Sequence, residues 1–96
     1  MRSSNEFTLK EALEAYIKKF DRFGKFERAA IINAWEKEMG PIIKKHTKSI
    51  YVKGDKLFVY LSSPAIKNEL LMARSKIVKT LNKKVGQEVI KEVVIR

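Results

Sequence analysis

Ninety-six residues suffice for one domain with its own core, and 45 % hydrophobic with 33 % charged residues is a globular balance that argues against a disordered chain. The absence of cysteine excludes disulfide frameworks, thiolate zinc sites and cysteine nucleophiles, so stability must come from packing. The net charge of +10 is unevenly spread: thirteen of the 21 Lys and Arg, but only four of the 11 Asp and Glu, fall in residues 41–96, a concentration that attracts polyanions.

No apolar run approaches the roughly 20 residues of a membrane span, and the start MRSSNEFTLKE lacks the apolar centre of a signal peptide. The expected setting is cytoplasmic, with no membrane partner. A polar tail is expected over residues 1–7 and a single domain over 8–96, without repeats or linkers.

Thr8 and Glu11 form a capping-box pattern, and Leu9, Leu13, Tyr16, Ile17 and Phe20 follow at helical spacing, predicting a helix over 9–20. Gly24 interrupts it. A second helix is predicted over 26–39, with Ala30, Ile31, Trp35 and Met39 on one side and Trp35 as a core anchor, closed by Gly40 and Pro41. Pro41 also suits a first helical position, so Ile42 to His46 read as a short further helix.

Ser49 to Lys53 and Lys56 to Leu61 read as strands joined by Gly54-Asp55, a two-residue loop of type II′ or I′. That loop sets Lys53 opposite Lys56, Val52 opposite Leu57, Tyr51 opposite Phe58, Ile50 opposite Val59 and Ser49 opposite Tyr60. The register separates an aliphatic face of Ile50, Val52, Leu57, Val59 and Leu61 from a second face of Tyr51, Lys53, Lys56, Phe58 and Tyr60. The aliphatic face should hold the helices. The second suits base stacking beside phosphate neutralisation, or is explained by the strand propensity of aromatic residues alone.

Ser62 or Ser63 caps a long helix that has Pro64 in its first turn and runs to Val85, where Gly86 stops it. Lys76, Lys79 and Lys83 fall within about 60° of one another on its wheel and form a basic ridge, suited to a phosphate backbone or to plain solvation. Arg74 lies inside the apolar arc. Either it snorkels or pairs with an acid such as Glu69, or the helix breaks near Arg74 and Ser75 and its second half turns another face. A Val- and Ile-rich last strand is predicted over 88–96.

His46 is the single histidine and has no ligand set around it, and Glu36 and Glu38 read as solvated helix charges. No carboxylate pair, activated nucleophile or glycine-rich phosphate loop stands out, so no enzyme, metal, cofactor or small-molecule substrate is expected. The expected partner is nucleic acid. Lys53, Lys56, Lys76, Lys79, Lys83 and Lys84 are the candidate phosphate contacts, with Tyr51, Phe58 and Tyr60 as candidate stacking residues.

Several short features recur in one order over Ile32 to Ile95: Trp35 then Gly40; His46-Thr47 before a strand; Gly54-Asp55-Lys56-Leu57 with Val59; Ser62-Ser63 leading to Glu69-Leu70; and Leu81-Asn82 before Gly86 and a final Val-rich strand. In these the segment resembles the bacterial DciA-like family, formerly a domain of unknown function. The resemblance implies a KH-like two-layer α/β (α+β) domain; with the elements read above in the order α-α-β-β-α-β, a three-stranded sheet is expected to carry helices on one face. The resemblance also implies DNA binding in replication and assistance in loading the replicative helicase; single-stranded DNA is the expected form of the partner. The GxxG loop by which RNA-binding KH modules grip a backbone is absent, so basic helix or strand surfaces would do that work. The competing readings are an adaptor docking on an acidic partner and an RNA-binding KH-like module.

Overall fold

The computed structural model describes residues 8–20 and 24–96, the side chains of Glu14 and of residues 16–20 excepted. The predicted tail over 1–7, and the apolar placement of Tyr16, Ile17 and Phe20, lie outside the described residues.

Helix α1 (Leu9–Phe20) opens on the predicted capping box. The Glu11 N–H donates to Thr8 Oγ1 at 3.1 Å, while the Thr8 N–H and hydroxyl both donate to Glu11 Oε1, at 3.1 and 2.9 Å. Leu9 and Leu13 remain exposed, so these two side chains add nothing to the core.

Helix α2 (Lys25–Lys45) is two helical segments in series, divided at Gly40, whose φ of 86° and ψ of 172° are not helical. Pro41 begins the second segment, the short helix that its position predicts. Ile31, Ala34 and Trp35 are buried, and the Trp35 indole N–H donates to Thr47 Oγ1, which donates in turn to the Ile43 carbonyl. The one buried polar edge of the tryptophan is thereby satisfied.

Strands β1 (Thr47–Lys53) and β2 (Lys56–Leu61) pair in the predicted register from Lys53↔Lys56 to Ser49↔Tyr60, with an irregularity between Thr47 and Ser49. Gly54 has φ 63° and Asp55 does not have positive φ, which selects type II′ over type I′, since the latter needs both residues left-handed. Strand β3 (Glu92–Ile95) lies parallel to β2, so the sheet order is β1-β2-β3 with β2 central. Parallel pairing requires a crossover, which the intervening helices supply.

Those helices take the second of the two courses left open at Arg74, which adds an element to the expected order. The predicted single helix is two, α3 (Pro64–Met72) and α4 (Arg74–Val85), separated at Ala73, whose φ of −106° and ψ of 11° leave the helical range. The order is therefore α-α-β-β-α-α-β. Of the two predicted caps Ser63 is the one used, its Oγ accepting the Ile66 N–H at 3.3 Å. The break removes the conflict at Arg74: α4 restarts with a new phase, Arg74 is exposed, and its Nε donates to the Leu71 carbonyl at the end of α3.

The last strand is shorter than predicted. Val89 and Ile90 present their N–H groups to the Asn82 side chain instead of to a neighbouring strand, so β-pairing begins only where Lys91 and Glu92 reach the Asp55 carbonyl. Leu57 and Val59 of β2, Val93 and Ile95 of β3 and the buried Ile90 pack with Ile31 and Trp35 of α2, Leu70 of α3, and Ile77 and Leu81 of α4. The molecule is thus α+β, with the sheet in one layer and helices on its aliphatic face. Ile50, Val52 and Leu61 lie partly buried against this core, which gives the hairpin the face assignment predicted for it.

Candidate nucleic-acid interface

The two predicted basic surfaces lie on opposite sides of the sheet. Alternation sends Leu57 and Val59 into the core, so Lys56, Phe58 and Tyr60 emerge on the far side, beside Tyr51 and Lys53 of β1. Tyr51 stacks on Phe58 with centroids 5.0 Å apart and planes 11° from parallel, and on Tyr60 at 6.2 Å and 20°. Tyr51 is the most open of the three, at 40 % exposure. A hydrogen bond with the Tyr60 side chain is the main cause that raises the Tyr51 phenol above its ordinary range; burial and the Tyr60 charge add to this, and Arg96 opposes it. Arg96 therefore belongs electrostatically to this face, a contribution that strand alternation over 93–96 would have revealed.

Lys56 on this face is paired: its Nζ lies 3.4 Å from Glu92, the residue opposite it in the parallel register. Lys84 is paired too, 3.7 Å from Glu38, and sits on the side of α4 turned towards α2 rather than on the ridge. Such exposed pairs are worth about 0–1 kcal/mol and a polyanion can displace them, but neither lysine is a free cation.

Lys76, Lys79 and Lys83 are exposed along α4, and none of them makes an ion pair among the described residues. Lys79 and Lys83 also line a depression between α4 and the chain that leads into β3. One hollow of about 660 Å³ is bounded by Val78, Lys79, Asn82, Lys83, Ile90 and Lys91, with Glu88 among its remaining lining. A second of about 410 Å³ continues it past Arg74, Ser75 and Glu92, sharing Val78, Lys79 and Lys91. Sequence reasoning missed Lys91, and it treated Arg74 chiefly as a structural anomaly. Arg74 shares α4 with the lysines, whereas only the packing of α4 against residues 86–92 brings Lys91 beside them.

His46 plays a local structural part: its Nδ1 is 3.1 Å from Ser62 Oγ, and its carbonyl accepts the Ser62 N–H and hydroxyl. No group of residues able to hold a metal ion occurs among the described residues, and no described helix is long and apolar enough to cross a membrane.

Fold and surface together define a small basic α+β protein with exposed lysines along α4 and on the far face of the sheet. The family model for DciA, the Dna[CI] antecedent, matches residues 8–95, and the chain belongs to that family. The match takes in α1 as well as the Ile32 to Ile95 segment. The family's role is tied to replicative-helicase loading in bacteria, and it is not a known enzyme family. No curated protein and no solved structure matches the chain significantly.

Proposed function

We propose that this protein is a non-enzymatic DNA-binding protein of replication, which assists helicase loading by holding DNA on the basic surfaces of residues 41–96. The carrying observation is the α4 ridge: Lys76, Lys79 and Lys83 are exposed, share one side of the helix and have no carboxylate partner among the described residues. Cations in that state attract phosphates without first giving up an internal pair. The sheet face adds a secondary surface, with Lys53 making no ion pair among the described residues and Tyr51 offering the outermost ring for a base.

The test is a salt titration of binding to single-stranded DNA, duplex DNA and RNA of one sequence, with the Lys76→Glu/Lys79→Glu/Lys83→Glu variant beside the wild type. Each phosphate neutralised adds about −0.7 to the log–log slope on a single strand, and the reversal should abolish binding while helicase association persists. Affinity that ignores salt overturns the proposal. Loss of helicase association with DNA binding intact assigns the ridge to docking on an acidic protein surface, and preference for RNA over both DNA forms assigns it to an RNA-binding module.

A further inference from the structure

We propose that the groove between α4 and residues 86–93 is the track for the sugar–phosphate backbone of one DNA strand, with Arg74, Lys79, Lys83 and Lys91 as its phosphate contacts; this rests on the DNA-binding reading above. The two hollows share Val78, Lys79 and Lys91, so they form one continuous depression. Its cations stand on both walls: Lys79 and Lys83 on α4, Lys91 on the segment opposite, and Arg74 at the α3–α4 junction.

Arg74 and Lys83 are nine positions apart on α4, about 13 Å of helix at 1.5 Å per residue. A single strand carries one phosphate per nucleotide, so a wall of this length runs beside a short run of successive phosphates. None of the four cations makes an ion pair among the described residues. Of the two carboxylates on the lining, Glu92 is already engaged by Lys56, leaving Glu88 as the one opposing charge. Arg74 anchors its Nε on the Leu71 carbonyl, which leaves the two terminal nitrogens of its fork for a phosphate.

The groove is also held in shape before any ligand arrives, because Asn82 at its base binds the main chain of Val89 and Ile90. Rigid walls reduce the ordering cost of binding. A concave track with cations on both sides embraces one strand. A duplex, being convex, would instead rest on the outer ridge, where Lys76 lies outside the groove lining.

Lys76 and Lys91 therefore separate groove from ridge. Using the full chain, binding of a labelled oligothymidylate and of a hairpin duplex is followed by fluorescence anisotropy across a salt series for the wild type, Lys76→Ala, Lys91→Ala, Lys91→Glu and Arg74→Ala. Lys91→Ala and Arg74→Ala should each weaken oligothymidylate binding several-fold and reduce the slope by about 0.7, with Lys91→Glu weaker still and Lys76→Ala close to wild type. Because Arg74 also binds the end of α3, the Lys91 pair carries the decision, and its unfolding midpoint, read from Trp35 fluorescence, should match wild type. Equal or larger losses from Lys76→Ala, or tighter binding of the duplex than of the single strand, overturn the groove while DNA binding stands. A wild-type protein without salt-dependent binding overturns both.

Discussion

Asn82 holds the main chain of Ile90 from both sides: its Nδ2 donates to the Ile90 carbonyl at 2.7 Å, and its Oδ1 accepts the Ile90 N–H at 3.1 Å. The same oxygen accepts the Val89 N–H at 2.9 Å, while the Asn82 carbonyl accepts the N–H groups of Gly86 and Gln87. One residue thus satisfies much of the chain that leaves α4 and turns towards β3. Ile90 itself is fully buried, so the connection is fixed by side-chain packing below and by an amide above.

Replacing Asn82 by Ala leaves two N–H groups and a carbonyl without partners in a part-buried setting. Unsatisfied groups of this kind cost roughly 1–3 kcal/mol each when fully buried, and solvent access to the loop reduces that. Asn82→Ala should therefore lose about 2–3 kcal/mol in guanidinium unfolding followed by Trp35 fluorescence, and Asn82→Asp, which keeps only the acceptor, should lose a comparable amount. A loss below about 0.5 kcal/mol for Asn82→Ala would show that the connection holds itself.

Gly40 tests backbone against space. A Cβ added there meets nothing within 4 Å, yet φ of 86° with ψ of 172° falls in a region open essentially to glycine alone. Gly40→Ala should cost about 1–3 kcal/mol by the same unfolding assay although it clashes with nothing. Lys37→Ala, an exposed change within the first segment of α2, is the neutral control. Equal stability of the two variants would mean that the α2 kink shifts to a conformation alanine tolerates.

The contrast between these residues shows what sequence makes legible. The Thr8–Glu11 capping box, the Gly54-Asp55 turn and the register it dictates are local devices, readable from a few adjacent residues, and they appear as predicted. The α3–α4 break left only an indirect trace, a cation in an apolar arc, because Ala73 is itself a good helix former and nothing in its chemistry marks a boundary. The early end of β3 left none. It depends on Asn82 reaching residues seven and eight positions onward, and an alternating Val/Ile pattern over 88–96 cannot show that competing hydrogen bond. For the same reason the ridge lysines were readable from one helix, whereas Lys91 joins them only through tertiary packing.

Acid should loosen the start of α1. Hydrogen bonds from the Thr8 N–H and then from its hydroxyl hold the Glu11 carboxyl below its ordinary range. A folded-state value below the unfolded one means that this stabilisation is fully present above the ordinary carboxylate range and is lost as pH falls through the lowered value. Far-ultraviolet circular dichroism of the wild type should lose helical signal over that acidic window, and Glu11→Gln should lose less of it. Superimposable acid titrations of the two proteins would remove Glu11 as the cause.

The aromatic face makes the opposite prediction at high pH. The hydrogen bond with Tyr60 is the largest cause raising the Tyr51 phenol, while Arg96 pulls it down. Because the folded value lies above the unfolded one, the neutral pair stabilises the face below the ordinary phenol range, and that contribution disappears as pH rises through the raised value. In ring-carbon nuclear magnetic resonance, Tyr60→Phe should bring the Tyr51 titration down towards its ordinary range, and Arg96→Ala should move it further up. If Tyr60→Phe leaves Tyr51 unmoved, the hydroxyl pairing is not the cause, and the Tyr51 ring is held by ring stacking alone. That distinction bears on DNA contact: a ring fixed at its hydroxyl and stacked beneath at 5.0 Å presents one constant outer surface to a base, whereas a ring held only by stacking can swing away.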